Sequence, residues 1–342
     1  MRSHLRTLVV LALAAGLVVL FLYNVDLRGV AREIAHARLE WLALSLATMF
    51  VNVAIRAWRW QYLLEPLGMP SFVNAFKATA VGFAASAVLP ARAGEVIRPY
   101  FLSRHEPLSA TGAFATVILE RLLDMLTVSA LLAVYLAFWH SQLTLTAPSA
   151  VNALTWAGGT AAAGAVAALG VLFVLAGNPA RLGQTLTRLE HVLPSSLAGL
   201  LARVAEKFAT GLGVIRRPSR LLVSLVLSVP LWLSIAVGIW AVARAFHLPV
   251  PFPGSFLLIA LLVIGVAVPT PGAVGGFHWA FRFGATTFFA ASNDAAVGAA
   301  IVLHAITIGS QLVLGLVFAA EEGLSIASMK QLADHAEPER SV

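Results

Sequence analysis

Three ionisable residues stand inside otherwise apolar sequence. Glu120, Arg121 and Asp124 lie near the middle of a run from about 109 to 138. At the centre of a membrane helix each charged residue costs roughly 2.5–3.5 kcal/mol on an insertion scale. Such residues turn toward the bundle interior or water and are functional by default. Glu120 and Asp124 are four apart and share a helix face, and Arg121 is three from Asp124. Two roles are open to them: an internal Arg–Asp pair that neutralises itself and pins helices together, or the handling of substrate or protons. A second cluster surrounds a Pro/Gly break, where Arg92, Glu95 and Arg98 follow Pro90 and bracket Gly94. If Glu95 opens the returning helix, the N–H groups there add positive potential. Two guanidiniums beside a helix N-terminus suit a phosphate. The alternative is a turn at the inner membrane surface, with the arginines among lipid headgroups.

Other candidates are sparser. The stretch from Pro269 through Pro271, Gly272, Gly275 and Gly276 offers backbone rather than charge. It is either a set of amides for an anion or ion, or a tight packing turn. His278 and Arg282 follow at four-residue spacing, and His304 and Gln311 are seven apart, so each pair shares a helix face. A single His in a span can equally be a hydrogen-bonded core residue. Arg56, Arg59 and Trp60 end the second apolar run, where snorkelling and an aromatic belt account for them. Arg59 is nevertheless retained as a substrate-binding candidate with Arg92, Glu95, Arg98, Glu120, Arg121, Asp124, His278, Arg282 and His304.

The elements that must position these residues are membrane helices. Of 342 residues 59% are hydrophobic and 11% charged, against about a quarter charged in soluble proteins. Lipid must therefore solvate much of the chain. Apolar runs of spanning length occupy about 7–24, 41–62, 109–138, 150–177, 219–246 and 294–320. The stretches 72–102 and 253–291 are broken in the middle by Pro90 with Gly94 and by Pro269, Pro271 and Gly272. A broken helix survives in lipid only where protein or a watery cavity satisfies its backbone. Both stretches are therefore read as re-entrant helical hairpins. The expected fold is all-α: a polytopic transmembrane bundle of about six full spans plus two re-entrant hairpins.

Charge sets the expected topology. Segment 178–220 holds Arg181, Arg188, Arg203, Lys207, Arg216, Arg217 and Arg220 against Glu190 and Glu206, so the positive-inside rule puts it in the cytoplasm. Both termini then face the cytoplasm, including the tail with Lys330 and Arg340, in the inner (plasma) membrane. Stretch 24–40 is an outside connection of nearly balanced charge. Span 41–62, hairpin 72–102 and span 109–138 form one unit, and 219–246, 253–291 and 294–320 form another of opposite topology. Such inverted repeats with broken helices are a transporter architecture. Segment 181–213 is amphipathic, with leucines at helical spacing, and is either a helix on the inner leaflet or a plain connector. The chain reads as one integral membrane domain over 1–330, including a cytoplasmic amphipathic segment at 178–218, with a short polar tail at 331–342. The basic N-terminus and run 7–24 read as an uncleaved first span, because Tyr23, Asn24, Val25 and Asp26 offer no small-residue cleavage site.

The net charge of +7 belongs to loops facing an anionic leaflet, and no nucleic-acid motif accompanies it. There is no Cys, which excludes disulfides, thiolate–zinc sites and cysteine catalysis. No hydrolase, zinc-protease or nucleotide-loop motif is present, so no cofactor or metal is expected; membrane enzymes can lack such motifs, so the absence lowers the enzyme reading without removing it.

The strings Arg56-Ala57-Trp58-Arg59-Trp60, Pro90-Ala91-Arg92-Ala93-Gly94-Glu95 with Arg98, Glu120-Arg121 with Asp124, and Pro269-Thr270-Pro271-Gly272 with Gly275-Gly276 resemble the lysylphosphatidylglycerol synthase transmembrane (flippase-domain) family. The resemblance runs from about 10 to 325. In that family the membrane domain flips a lipid made by an attached cytosolic aminoacyl-transfer domain. The chain ends about 20 residues after its last span, so a stand-alone member without that domain is expected. The resemblance implies lipid handling, with hopanoid or glycolipid pathways among the associations of stand-alone relatives. Two departures stand out. The family often carries a carboxylate where this chain has His278, which implies a different lipid preference, and Ala273 stands where Gly is common.

The leading expectation is therefore a flippase-like transporter of a phospholipid or glycolipid headgroup. In it Arg92 and Arg98 bind a lipid phosphate, Glu95, Glu120 and Asp124 balance them, and Arg121 pairs inside the bundle. The alternatives are a non-catalytic scaffold for a lipid- or glycan-synthesising enzyme, docked through 181–213, and a membrane enzyme acting on a lipid-linked phosphate with Glu95 or Asp124 as base. Membrane lipid is the expected partner in each.

Overall fold

A computed structural model describes residues 16–19, 21–22, 25–89, 92–144, 148–177, 195–268 and 270–323. The basic N-terminus, most of the first apolar run, Pro90, Pro269, residues 181–194 and the tail carrying Lys330 and Arg340 lie outside the described residues.

Twelve labelled α-helices make up the described fold: α1 (Leu27–Ala35), α2 (Leu39–Leu64), α3 (Phe72–Val88), α4 (Gly94–His105), α5 (Ala110–Thr144), α6 (Pro148–Leu175), α7 (Ser195–Gly211), α8 (Pro218–Ala245), α9 (Gly254–Ala267), α10 (Gly276–Phe289), α11 (Asn293–His304) and α12 (Ser310–Glu321). A π-helical turn, Ala305–Gly309, joins the last two into one rod. Among the described residues, five helical segments are long and apolar enough to cross a membrane: Leu39–Leu64, Ala110–Trp139, Ser149–Leu175, Pro218–Ala245 and Asn293–Glu321. They match five of the six runs read from sequence. The stretch read as an outside connection differs, because residues 27–35 form helix α1. Asp26 caps it by accepting from the Arg28 amide at 3.0 Å. α1 packs on α11 through Gly29, where an added Cβ would lie 2.6 Å from Asp294 Oδ2.

The helices on either side of the two breaks fold back on each other, α3 on α4 and α9 on α10. Helices of 12–17 residues rise only about 18–26 Å, short of the ~30 Å hydrocarbon core. Each hairpin closes on a glycine pair. A Cβ on Gly94 would lie 1.8 Å from Gly82 O, and one on Gly276 would lie 2.2 Å from Gly265 O. Backbones this close admit no side chain, which fixes where each hairpin can bend.

The two halves pack reciprocally. α2 runs antiparallel to α8 over its whole length. Trp41 stacks edge-on against Trp240 at one end, Asn52 bonds Leu231 O in the middle, and Glu65 pairs with Arg217 at the other. The last rod of the second half lies on α3 of the first, and the last helix of the first half, α5, lies on α9 of the second. The tips also meet: Arg92 Nη2 donates to Val266 O at 3.1 Å, and a Cβ on Gly272 would lie 3.5 Å from Ala87 O. These pairings are what a two-fold relation between inverted units requires.

Candidate functional site

Where α2, α4, α5 and α8 converge, the interior is charged. Glu120 is fully buried and Asp124 nearly so, and both point from α5 at α2. Arg56 Nη1 donates to Glu120 Oε1 at 2.7 Å and to Asp124 Oδ2 at 3.1 Å. Arg59 Nη1 donates to Asp124 Oδ1 at 2.8 Å and to Ser228 Oγ at 2.6 Å, while its Nη2 is 3.2 Å from Glu120. Arg98 comes from α4 and reaches both Glu120 oxygens at 3.1–3.2 Å. Its guanidinium lies 3.8 Å above the Trp60 ring, which Thr116 fixes through a 2.9 Å bond to the indole N–H. Trp232 Nε1 completes Asp124 at 3.1 Å.

The spacing in sequence explains the geometry. Arg56 and Arg59 are three apart on α2 and Glu120 and Asp124 four apart on α5, so each pair shares a face and the two faces meet. In a low-dielectric interior such charges persist only when paired. Here each guanidinium has a carboxylate, but among the described residues several of its donors have no hydrogen-bond acceptor. Arg56 Nε, Arg59 Nε and Nη2, and Arg98 Nε and Nη2 are buried without a hydrogen-bond partner.

The cluster continues outward to the first hairpin tip. Arg121, 35% exposed at its side chain, lies 3.4 Å from Glu120 and 3.6 Å from Asp124. Its Nε is 3.8 Å from Glu95, which is 3.9 Å from Arg92, itself 47% exposed at its side chain. A run of ion pairs thus links an accessible tip to a buried centre. Along it five guanidiniums (Arg56, Arg59, Arg92, Arg98, Arg121) face three carboxylates (Glu95, Glu120, Asp124), an excess of two positive charges.

The second tip carries a different set. Gly272, Ala273 and Gly275 have φ of 57°, 55° and 89°, all in the left-handed region. Ala273 therefore holds a conformation that glycine adopts without strain. His304 Nε2 reaches Gly272 O at 2.7 Å, and the Gly275 amide points at His278 Nδ1 at 3.4 Å.

Several sequence expectations are corrected. Arg56 and Arg59 do not snorkel. Helix α2 runs on to Leu64, which leaves both inside the bundle opposite two carboxylates. Arg92 and Arg98 do not form one phosphate clasp: Arg98 turns inward to Glu120 and Trp60, while Arg92 crosses to the other hairpin. Arg121 is half-buried at the edge of the cluster, not enclosed in it. His278 and Arg282 diverge despite their spacing, since His278 meets His304 and Arg282 Nε bonds Asn293 at 2.8 Å. The π-turn between His304 and Gln311 adds a residue to one turn and breaks their common face. Gly94, Pro271, Gly272, Gly275 and Gly276 lie at the two tips as read. Sequence reasoning missed Arg56, Ser228 and Trp232 as members of the cluster. Only Arg56 had a visible signal, its i, i+3 spacing with Arg59 against the i, i+4 carboxylates.

The fold and the buried cluster together define a polytopic helical membrane protein built on paired helical hairpins. The chain belongs to the family described as the lysylphosphatidylglycerol synthase transmembrane region, whose model matches residues 7–315. It is 26% identical to a protein named glycosyltransferase AglD from Haloferax volcanii, over 96% of this chain and 57% of that protein. It is 27% identical over 103 residues to UPF0104 membrane protein MJ1595 from Methanocaldococcus jannaschii, covering 29% of this chain and 31% of that one. The chain thus matches little more than half the length of the first relative and about a third of the second.

Proposed function

We propose that this protein moves an anionic lipid headgroup between leaflets, with the meeting point of the two hairpin tips as the crossing point. The observation that carries the reading is the run of ion pairs from Arg92 to Glu120, with its two-charge positive excess and its unsatisfied buried guanidinium donors. Short hairpins meeting tip to tip leave a single thin barrier, and an excess of guanidinium favours a phosphate over a zwitterion. Arg92, Glu95 and Arg121 are the accessible members and would meet the headgroup first. Arg56, Arg59 and Arg98 with Glu120 and Asp124 form the charged floor beneath. On the positive-inside reading, the first hairpin enters from the cytoplasm and the second from outside, in the plasma membrane.

The name of the Haloferax relative favours a second cargo, a sugar carried on a lipid phosphate. It also favours a synthase as partner, docked against α7, whose Leu201 and Val204 are exposed. Both cargoes present the same chemistry, a phosphate attached to a lipid.

The test is reconstitution in vesicles with headgroup-labelled phosphatidylglycerol, phosphatidylcholine or a polyprenyl-phosphate sugar, scored by protection of label from a membrane-impermeant quencher. R92Q changes an exposed residue and R121Q a half-buried one at the edge of the cluster, and each should lower anionic lipid movement at least tenfold while the protein stays folded. Equal movement of anionic and zwitterionic lipid, or full movement in both variants, would overturn the reading.

A further inference from the structure

The second hairpin tip is held by two imidazoles that the headgroup path does not use. His278 on α10 and His304 on α11 lie with ring centroids 4.4 Å apart and planes tilted by 33°. Phe277 packs within 5.3 Å of His304 and Phe21 within 5.0 Å of His278. Among the described residues no carboxylate comes within ion-pair distance of either ring. Among the described residues, the charged groups on the elements that carry the pair or pack against them are Arg282 on α10, Asp294 at the start of α11, Arg28, Arg32 and Glu33 on α1, Arg220 and Arg244 on α8, Glu40, Arg56 and Arg59 on α2, and Arg92 at the facing tip. Arg282 is engaged with Asn293 and with Phe21 O, Arg56 and Arg59 with Glu120 and Asp124, and Arg92 with Val266 O.

The bonds fix where protons sit. Gly272 O can only accept, so His304 Nε2 carries a hydrogen, which leaves Nδ1 as a lone pair. The Gly275 amide can only donate, so His278 Nδ1 is a lone pair, with the hydrogen on Nε2. Both bonds anchor the same turn, which holds Gly272, Ala273 and Gly275 at positive φ. Each such residue stores strain unless its surroundings hold it. A π-turn, of the kind common at functional sites, starts one residue after His304.

We propose that His278 and His304 form a single-proton site that opens and closes the second hairpin tip, so that the proton is the coupling ligand of the transport proposed above. A proton arriving at His304 Nδ1 leaves the bond to Gly272 intact. One arriving at His278 Nδ1 turns an acceptor into a donor facing another donor, uncaps α10 and frees the strained turn. Two imidazoliums at this separation repel across an apolar wall, so the pair takes one proton and resists a second. A histidine pair whose charge changes when it takes up a proton, set beside a strained turn, has the parts of a proton-driven gate. The inference rests on the transport reading for its physiological meaning, but the proton site can be tested without it.

The experiment follows 15N-histidine resonances of the full chain in nanodiscs from pH 4 to 8, with amide exchange at 270–276 in the wild type, H278Q and H304Q. Glutamine keeps an acceptor or donor at the ring position but does not titrate. The two wild-type rings should titrate in linked steps, and H304Q should let His278 take its proton at higher pH. After correction for intrinsic exchange, the Gly275 amide should exchange roughly tenfold faster at low pH in the wild type, the order of one lost hydrogen bond, and show no such rise in H278Q. Rings that titrate independently, or a tip whose exchange ignores pH, overturn the site; the wild-type titration decides this even if a variant fails to fold. Vesicle transport under an imposed pH gradient separates the two claims. Linked titration without lipid movement at any pH sinks the transport reading and leaves the proton site. Lipid movement that ignores both pH and the gradient sinks the coupling and leaves the transporter.

Discussion

Glu120 is the residue whose loss the structure makes most costly. It is fully buried and within 3.4 Å of Arg56, Arg59, Arg98 and Arg121. Among the described residues it is also the single carboxylate paired with Arg98. E120Q keeps shape but removes charge, leaving buried Arg56 and Arg59 with Asp124 alone and buried Arg98 with no carboxylate among the described residues. Breaking a buried pair by removing one partner costs about 3–5 kcal/mol. D124N removes less, because Arg56 and Arg59 both keep Glu120; about 1.5–3 kcal/mol is expected, the scale of a lost charged hydrogen bond. Unfolding in nanodiscs, by denaturant or steric trapping, should therefore rank E120Q below D124N and both below wild type. The sharper test is rescue. E120Q/R98M removes the orphaned cation together with its partner, and should recover a large part of the loss, with a coupling of roughly 1–3 kcal/mol in a double-mutant cycle. If E120Q is no less stable than D124N, and R98M worsens it by the amount seen in wild type, the cluster is not held through Glu120.

Other expectations follow from the packing. G94A and G276A each push a Cβ to within about 2 Å of a facing carbonyl, at 1.8 and 2.2 Å, and should abolish stable assembly, whereas G159A meets nothing within 4 Å and should be silent in the same thermal assay. Asn52 bonds Leu231 O at 3.0 Å and Ser234 Oγ at 3.2 Å across α2 and α8; N52L should lower stability by about 0.6–2 kcal/mol, the range for interhelical polar contacts in membranes. At the end of the last rod, beyond the span, Glu322 pairs with His105 at 2.8 Å. His105 is pushed up by its bond to the Phe101 carbonyl and then by Glu322, and the His105 bond holds Glu322 below the usual carboxylate range. Because the folded His105 value is raised, its contribution is complete below the ordinary histidine range and is lost as pH climbs through the raised value. The depressed Glu322 supplies its share above the ordinary carboxylate range and loses it as pH falls through the lowered value. Amide protection at 105–106 should therefore peak between those limits and fall on either side, and H105A should flatten the alkaline limb.

The class of the fold was legible because solvation leaves few choices. In an 11% charged chain lipid leaves helices or a closed barrel to satisfy the backbone, continuous apolar runs of about 20 residues select helices, and Pro with Gly at fixed points marks where two of them break. The charged positions Glu120, Asp124, Arg92 and Arg98 were visible for the same reason, as charge where charge is expensive. What each one touches was not. Helical spacing states which residues share a face, but it does not say which helix that face meets. Arg59 and Arg56 looked like ends of a span because the apolar run stops near them, yet their helix continues and α5 supplies carboxylates more than sixty residues away. Arg92 and Arg98 are six apart and part company because one lies on a tip and the other on the helix that follows.

The same division holds at the second tip. Sequence marked His278 and His304 as separate candidates on separate helices, and paired each with the wrong neighbour. Their meeting depends on α11 folding against α10, and the π-turn that follows His304 is announced by no local pattern. Composition and periodicity determine how a chain divides between lipid and water, since each residue carries that preference alone. Which charges cancel, which remain in excess and which two imidazoles meet belong to pairs brought together by packing, and only the tertiary structure decides them.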